Sequence, residues 1–302
     1  VSGGEDDQRV AAEEAGARLD AFVSRKLGVT VGEARRRIEA GLVRVDGRRQ
    51  RKGATLAAGA RVSIEAGESR LIADPAAPVT FLHQDAALIA IDKPAGMPSH
   101  PLRLGERGTA ANAIIGRYPE CAGASEDPRE GGLGHRLDTA TSGVLVAARD
   151  RAAWLALRAA LGGEDCQKRY LAEVWGQPPD EGQVSAAIGR RGRRGGKVQL
   201  DGGRNPLPAA TRFTVLERRA RTALVVAHLH AGRAHQVRAH LAAAGFPIVG
   251  DDRYDPLYSE RRAGAPRLHL HAAAVSFTHP TTARPITIEA PPPAWARPGG
   301  DT

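Results

Sequence analysis

The stretch Gly131–Asp150 reads GGLGHRLDTATSGVLVAARD and sets one carboxylate, Asp138, directly behind His135-Arg136-Leu137. A Thr-Ser-Gly turn follows, and then the apolar run Val144–Ala148. An apolar run of that length, bounded by glycine, predicts a buried strand. A carboxylate at the mouth of such a strand has to be paired, neutralised or used, because burying an isolated charge is costly or shifts its pKa. Asp138 is therefore either the cap of the turn behind it or a working acid, base or nucleophile.

Around this stretch, from about Thr80 to Ala290, the elements alternate without a βαβ repeat. The pattern predicts an α+β domain around a mixed, largely antiparallel sheet. Strand signals fall at Leu88–Ile91, Gly143–Ala148, Tyr170–Val174, Thr211–Leu216, Ala223–Leu229, His271–Phe277 and Ile286–Glu289. Helices are expected at Arg151–Leu161 and Ala234–Ala244, each followed by glycine. The tail, residues 291–302, is proline-rich and is expected to be loose.

Residues 17–68 read as a second, small α/β domain. Leu19, Phe22, Val23 and Leu27 share one helical face, which Gly28 ends. Thr30 with Glu33 is a capping-box signature for a second helix carrying Ala34 and Ile38 inward, closed by Gly41. Short strands follow at Leu42–Val45 and Arg61–Glu65, with Asp46-Gly47 as a turn. Residues 1–16 read as a flexible leader and residues 69–79, with two prolines, as a linker.

Composition bounds the function. The 302 residues can hold one large domain plus one small, and the 42% hydrophobic fraction supplies a core although aromatics are only 4%. No stretch approaches the roughly 18 apolar residues of a membrane helix, so no membrane role is expected. The acidic start VSGGEDDQ lacks the pattern of a secretory signal. Cys121 and Cys166 are the only cysteines, which predicts reduced thiols and a cytoplasmic protein. Against 34 Asp+Glu stand 43 Lys+Arg, a net charge of +9. Arg35, Arg36, Arg37, Arg44, Arg48, Arg49, Arg51 and Lys52 put eight of those positive charges within eighteen residues. Such clustering points to RNA phosphates, or else to a solvated basic face.

The motif HRLDxxTSG resembles that of the RluA-type pseudouridine synthases, enzymes that modify RNA. Four further segments resemble that family's pattern in its own order: LIAIDKPAGMPSHP (88–101), QKRYLAEVWG (167–176), LHAGRAHQVRAHLAAAGFPIVGD (229–251) and LHLHAAAVSFTHP (268–280). The phrase IEAGLVRVDG and its basic surroundings resemble the alpha-L RNA-binding motif, named after a small-subunit ribosomal protein, which precedes the catalytic domain in many such enzymes. Val31 departs from that module's small polar residue, and Thr30 supplies the cap instead. The resemblance implies the pseudouridine synthase fold and an RNA substrate, with ribosomal RNA favoured and transfer RNA open. It implies roles as well. Asp138 is the catalytic carboxylate, Tyr170 the active-site tyrosine, and Arg238 the counter-ion, with Arg233 competing for that place. Arg136 fills the space left by a flipped base, His135 lies beside the substrate, and Thr141 holds the turn there.

The chemistry fits these residue types. Uracil is detached from ribose, turned, and rejoined through a ring carbon, without redox change or hydrolysis, so neither cofactor nor metal is expected. Asp138 can attack sugar or base, or act as a base on the sugar, and the sequence leaves these open. A cation within about 4–6 Å favours the charged carboxylate, and arginine matches its geometry better than lysine. The run GRRGRRGGK (189–197) reads as an RNA-facing hairpin tip or as a plain loop. Two rival readings are a metal hydrolase built on His228, His230, His235, His240, His269 and His271, and a non-catalytic RNA-binding or assembly protein. A monomer is expected.

Overall fold

A computed structural model of the chain describes residues 5–39, 41–65, 70–191, 196–230, 232–261 and 267–297. It divides into two compact units, residues 1–72 with 102–106 and residues 73–101 with 107–302.

The first unit runs β1 (Glu5–Arg9), α1 (Leu19–Leu27), α2 (Val31–Glu39), β2 (Val43–Val45), β3 (Arg48–Arg49) and β4 (Arg61–Glu65). Its four strands pair antiparallel in the order β1-β4-β2-β3. The inner face predicted for the helices is the one that packs: Leu19, Phe22, Val23, Ala34 and Ile38 close a core with Val43, Val62 and Ile64. α1 stops at Gly28 in the left-handed region, and Thr30 Oγ1 accepts the Glu33 N–H at 3.2 Å to start α2. Asp46 and Gly47 both take positive φ, +48° and +73°, as a tight hairpin into β3 requires. The leader departs from expectation, because Glu5–Arg9 is an edge strand in register with β4. An edge strand is held by backbone pairing and the diagonal Arg61–Asp7 ion pair (3.0 Å), so EDDQR carries no apolar alternation to read.

The second unit begins with β5 (Thr80–Gln84), β6 (Leu88–Lys93), α3 (Ala110–Arg117), β7 (Ser142–Ala148), α4 (Arg151–Gly162) and β8 (Gln167–Trp175). It continues through β9 (Glu181–Ser185), β10 (Ile188–Arg190), β11 (Val198–Leu200), β12 (Arg204–Leu207), β13 (Ala210–Arg218) and β14 (Thr222–Leu229). α5 (Gln236–Ala243), α6 (Tyr258–Arg261), β15 (Leu270–Thr278) and β16 (Pro285–Glu289) complete it. Nine strands form one sheet in the order β5-β6-β7-β15-β8-β14-β13-β9, with β16 on β15. Every pair is antiparallel except β7 with β15. This is the mixed, largely antiparallel α+β arrangement that the pattern predicts.

Two cores follow from the alternation along these strands. Leu88, Ala90, Val144, Val146, Val275 and Phe277 pack with Trp154 and Leu157 of α4. Ala172, Val174, Val225, Ala227 and Leu270 pack with Val237 and Leu241 of α5. Elements without a one-sided apolar pattern escape sequence reading. α3 is buried nearly all round and so has no stripe, and β12 (RNPL) is exposed throughout and contains proline. β10, β11 and β12 form a separate three-stranded sheet, so the Gly-Arg run is flanked by a hairpin; its residues 192–195 lie outside the described residues. The tail also departs from expectation. Trp295 stacks on His269 (centroids 4.8 Å apart), and Arg219 donates to the Trp295 carbonyl at 2.9 Å, which pins the chain there.

Candidate active site

Asp138 sits in the loop leading into β7, and that loop is tied down on both sides. The Gly134 N–H donates to the Val146 carbonyl (2.9 Å), while Ser99 Oγ accepts from the Leu137 N–H (2.9 Å) and donates to its carbonyl (2.7 Å). The Thr141 N–H closes a turn onto the Asp138 carbonyl at 3.1 Å, and the Thr141 residue is buried. Gly143 follows with φ +110°, and a Cβ there would stand 2.2 Å from the Ala272 carbonyl oxygen. Only glycine lets β7 start against β15 at this point.

Lys93 underpins the same loop from the end of β6. Its fully buried ammonium donates to the carbonyls of Met97 (2.7 Å), Pro94 (2.9 Å) and Thr139 (3.3 Å). Burial pulls its pKa down to about 8, against the opposing charges of Asp138 and Asp92. The Lys-Pro-Ala-Gly segment is therefore a turn locked by its own lysine.

The counter-ion comes from α5. Arg238 Nη1 donates to Asp138 Oδ2 at 3.1 Å, with the arginine side chain only 5% exposed and the aspartate 28%. The same guanidinium is gripped from behind by Asp251, through Nε to Oδ2 (2.9 Å) and Nη2 to Oδ1 (2.7 Å), and Nη2 also meets Asp252 at 3.2 Å. Asp251 is fully buried and accepts the N–H groups of Arg253 (2.9 Å) and Tyr254 (3.0 Å). Burial works against both charges. Asp251 and then Asp138 outweigh it and hold the Arg238 pKa above its usual value, and Arg238 with the two N–H donors holds Asp251 below its own. Arg238 is thus the aspartate's partner. Arg233 turns its Nε to the Pro208 carbonyl (3.4 Å) instead. Asp251 ends the segment GFPIVGD, but nothing in the sequence distinguishes it from a turn aspartate.

The remaining predicted residues fall into three positions. Tyr170, half-buried on β8, packs against the core that holds Ala172 and Leu270, and burial followed by the Asp138 charge pushes its hydroxyl pKa up, so it stays a neutral phenol and a donor. Arg136 is exposed. His135 Nε2 accepts the Val146 N–H at 3.1 Å, which braces the loop to β7. Burial, then Lys168 and Arg158, lower its pKa to about 3, so the ring is neutral and carries its proton on Nδ1. His235, at the head of α5, lies with Nε2 3.6 Å from Asp138 Oδ1.

The histidines of the hydrolase reading are spread over separate structural contacts. His240 binds Thr211 Oγ1 and the Ala186 carbonyl, His269 binds Glu173, and His271 binds Ser142. His83, Asp85 and His279 do bring three potential ligand atoms together, at another place. There His279 Nδ1 accepts the N–H groups of Thr281 (3.3 Å) and Thr282 (3.2 Å), so its Nε2 carries the proton donated to Asp85 and has no lone pair for a metal.

In the first unit the basic residues sort by partner. Arg35 is bound to Asp20 (2.7 Å), Arg36 and Arg37 to Glu33 (2.6 and 3.4 Å), Arg44 to Glu65 (3.4 Å) and Lys52 to Glu39 (2.8 Å). Asp20, buried and held by Arg18 and Arg35, has its pKa drawn well below the usual range. Among the described residues no carboxylate pairs with Arg48, Arg49 or Arg51. The predicted cluster is therefore split between basic residues that are ion-paired and arginines without a carboxylate partner among the described residues.

A mixed sheet with a buried arginine–aspartate pair beside a glycine turn, in a chain that also carries a compact basic unit, fits an RNA-modifying enzyme of the pseudouridine synthase class. Residues 87–243 match the family model described as RNA pseudouridylate synthase, and residues 17–62 match the S4 domain. The chain is 38% identical over 271 residues to the ribosomal large subunit pseudouridine synthase D of Xanthomonas campestris pv. campestris, covering 85% of this chain and 79% of that one. It is 38% identical over 218 residues to the dual-specificity RNA pseudouridine synthase RluA of Escherichia coli K12, covering 70% and 93%. The solved structure of human RNA pseudouridylate synthase domain containing 1 superposes with a TM-score of 0.59 at 26% identity, covering 74% of this chain and 87% of that one. The chain belongs to the RNA pseudouridylate synthase family. It is an RNA pseudouridine synthase with an N-terminal S4 domain.

Proposed function

We propose that this enzyme isomerises a uridine of large-subunit ribosomal RNA, with Asp138 as its catalytic carboxylate. The observation that carries the reading is the 3.1 Å contact between Arg238 Nη1 and Asp138 Oδ2, made by a guanidinium already fixed by Asp251. One carboxylate oxygen is thereby committed to the counter-ion, and Oδ1 is left to face the nucleoside. Oδ1 serves either as nucleophile or as base while the N1–C1′ bond breaks and the C5–C1′ bond forms. The proton released from C5 balances the one gained at N1.

The target base has to leave its stack, at a cost of about a few kcal/mol, and exposed Arg136 fills the gap. Tyr170 lies against the extruded ring, with a neutral hydroxyl that donates rather than accepts a proton. The ribosomal assignment draws on the X. campestris relative's name and on the S4 domain. Transfer RNA is the alternative substrate, since enzymes acting on transfer RNA share the same motifs.

Asp138→Asn keeps the shape and removes the charge, so it should abolish pseudouridine formation while RNA affinity holds. Mapping pseudouridines in ribosomal and transfer RNA from a strain lacking the protein identifies the target. A site missing only from transfer RNA would replace the ribosomal assignment. Activity on a short prefolded RNA should survive EDTA, because no step of this isomerisation calls for a Lewis acid.

A further inference from the structure

Arg238 holds only one of the two oxygens of Asp138, and a second group stands beside the other. His235 caps α5 from the left-handed region (φ +54°), a conformation that costs energy for a residue with a Cβ. Its ring is held at Nδ1, 2.9 Å from Tyr254 Oη, and its Nε2 lies 3.6 Å from Asp138 Oδ1. Tyr254 Oη in turn accepts the Val198 N–H at 2.8 Å. The ring of Tyr254 meets His235 edge-on (82°) and lies under the Arg238 guanidinium, 5.5 Å from its centroid.

These contacts decide where the protons are. With Nε2 bare, its lone pair would point at the lone pairs of a carboxylate. With Nε2 protonated, Nδ1 is the acceptor, and the Tyr254 hydroxyl has its proton free to donate there because Val198 occupies only a lone pair. Both ends of the ring thus agree on the Nε2–H tautomer. The ring is neutral as well: burial lowers the His235 pKa, with Arg238 and Arg253 acting in the same sense against Asp138 and Asp251. Burial likewise keeps the Tyr254 hydroxyl protonated and able to donate.

Resting on the assignment of Asp138 as the catalytic carboxylate, we propose that His235 is a positioning residue that aims Oδ1 through its Nε2–H and is itself set by Tyr254 and the backbone of Val198. At 3.6 Å the donor confines the oxygen without tying up its lone pairs in a full hydrogen bond, which leaves Oδ1 reactive. Val198 begins β11 beside Lys197, so the chain of contacts runs from the foot of the basic hairpin to the carboxylate.

The test compares His235→Leu, His235→Gln and Tyr254→Phe on one short uridine-containing RNA, with Asp138→Asn as reference. Leu and Gln both keep a Cβ without branching there, so the left-handed backbone at position 235 is equally strained in each. His235→Leu should lower kcat about tenfold with KM within about twofold, and His235→Gln, whose amide N–H can stand in for Nε2–H, should recover to within about threefold of wild type. In Tyr254→Phe the freed Nδ1 can take a proton, and an imidazolium would seize Oδ1. Its kcat should therefore fall on the acid side at a higher pH than that of wild type, while burial, Arg238 and Arg253 still hold the ring below its usual value. A His235→Leu enzyme near wild type, a Gln variant as impaired as Leu, or an unchanged pH profile in Tyr254→Phe each overturns the proposal. Should His235→Leu fail to fold, the Gln and Phe variants decide. An active Asp138→Asn enzyme instead overturns the reading beneath it.

Discussion

Arg35 and Arg238 belong to the same residue type and each grips a buried aspartate, yet they do different work. Arg35, on the S4 domain, is 45% exposed and reaches Asp20 from the solvent side. Its guanidinium keeps most of its hydration, and salt screens what it gains. Arg238 is 5% exposed and has its donors divided among Asp251, Asp138 and Asp252. Here desolvation is severe, and the pairing holds only because the partners are fixed beforehand, Asp251 by the N–H groups of Arg253 and Tyr254. The difference is one of consequence. A solvent-facing arginine can trade its carboxylate for a phosphate while Arg18 still holds Asp20, whereas a buried one keeps a carboxylate at a fixed place.

The strongest way to break this contrast is to remove Arg238. Arg238→Met leaves Asp251 buried without its cation and Asp138 without its partner. Loss of one member of a buried pair costs roughly 3–5 kcal/mol, so the denaturant midpoint should fall well below that of wild type. Pseudouridine formation should drop by at least about a hundredfold, while Arg35→Met changes either quantity far less. If Arg238→Met keeps its stability and its activity, the buried pair is not what holds Asp138 in place for the reaction. A dead Arg233→Met beside an active Arg238→Met would instead mean that substrate binding recruits the other arginine.

How much of this is legible in the sequence depends on the kind of signal. Asp138, Arg238 and Tyr170 stand in motifs long enough to be recognised, and Leu19, Phe22, Val23 and the β7 run follow from periodicity alone. Contacts that join distant segments leave no local trace. Asp251 and Tyr254 look like ordinary turn residues until the fold brings them to Arg238 and His235. His135 shows the same limit: its place in the motif says nothing of the hydrogen bond its ring accepts from the Val146 backbone. The edge strand Glu5–Arg9 and the pinned Trp295 are invisible because backbone pairing and one stacking contact hold them, not an apolar pattern.

The bracing role of His135 sharpens the comparison between buried and exposed charge. Its pKa of about 3, and that of His271 at about 4, lie below the usual value near 6.5. In that window the unfolded chain binds protons that the folded chain refuses, so stability is full above about pH 6.5 and is lost as pH falls. The slope is at most about 1.4 kcal/mol per pH unit for each histidine. Depressed carboxylates such as Asp251 contribute only further down, below about pH 4, while Asp92 and Glu130, raised by burial, oppose the histidines within part of roughly pH 4.5–6.5. Urea midpoints across that range should fall with pH in wild type. His135→Gln should flatten the slope, since its side-chain oxygen accepts the Val146 N–H without titrating. An unchanged slope would remove His135 from the account.

The smallest effects should come from the S4 domain, and they separate its ion-paired arginines from the others. Arg48, Arg49 and Arg51 have no carboxylate partner among the described residues, so any phosphate they meet displaces counterions. Changing all three to Gln should weaken binding to a long RNA. It should also reduce the magnitude of the slope of log K against log salt by about 0.7–0.9 for each phosphate left without its arginine. Arg36 and Arg37 already share Glu33, at 2.6 and 3.4 Å, and a phosphate would have to compete with that carboxylate. Arg36→Gln with Arg37→Gln should therefore move the salt slope less than the triple change does. Turnover on a saturating short RNA should stay near wild type in both. Equal slopes for the two sets would mean that ion pairing does not distinguish these arginines. The RNA-facing surface would then have to be assigned from position, with Glu33 giving up its partners on binding.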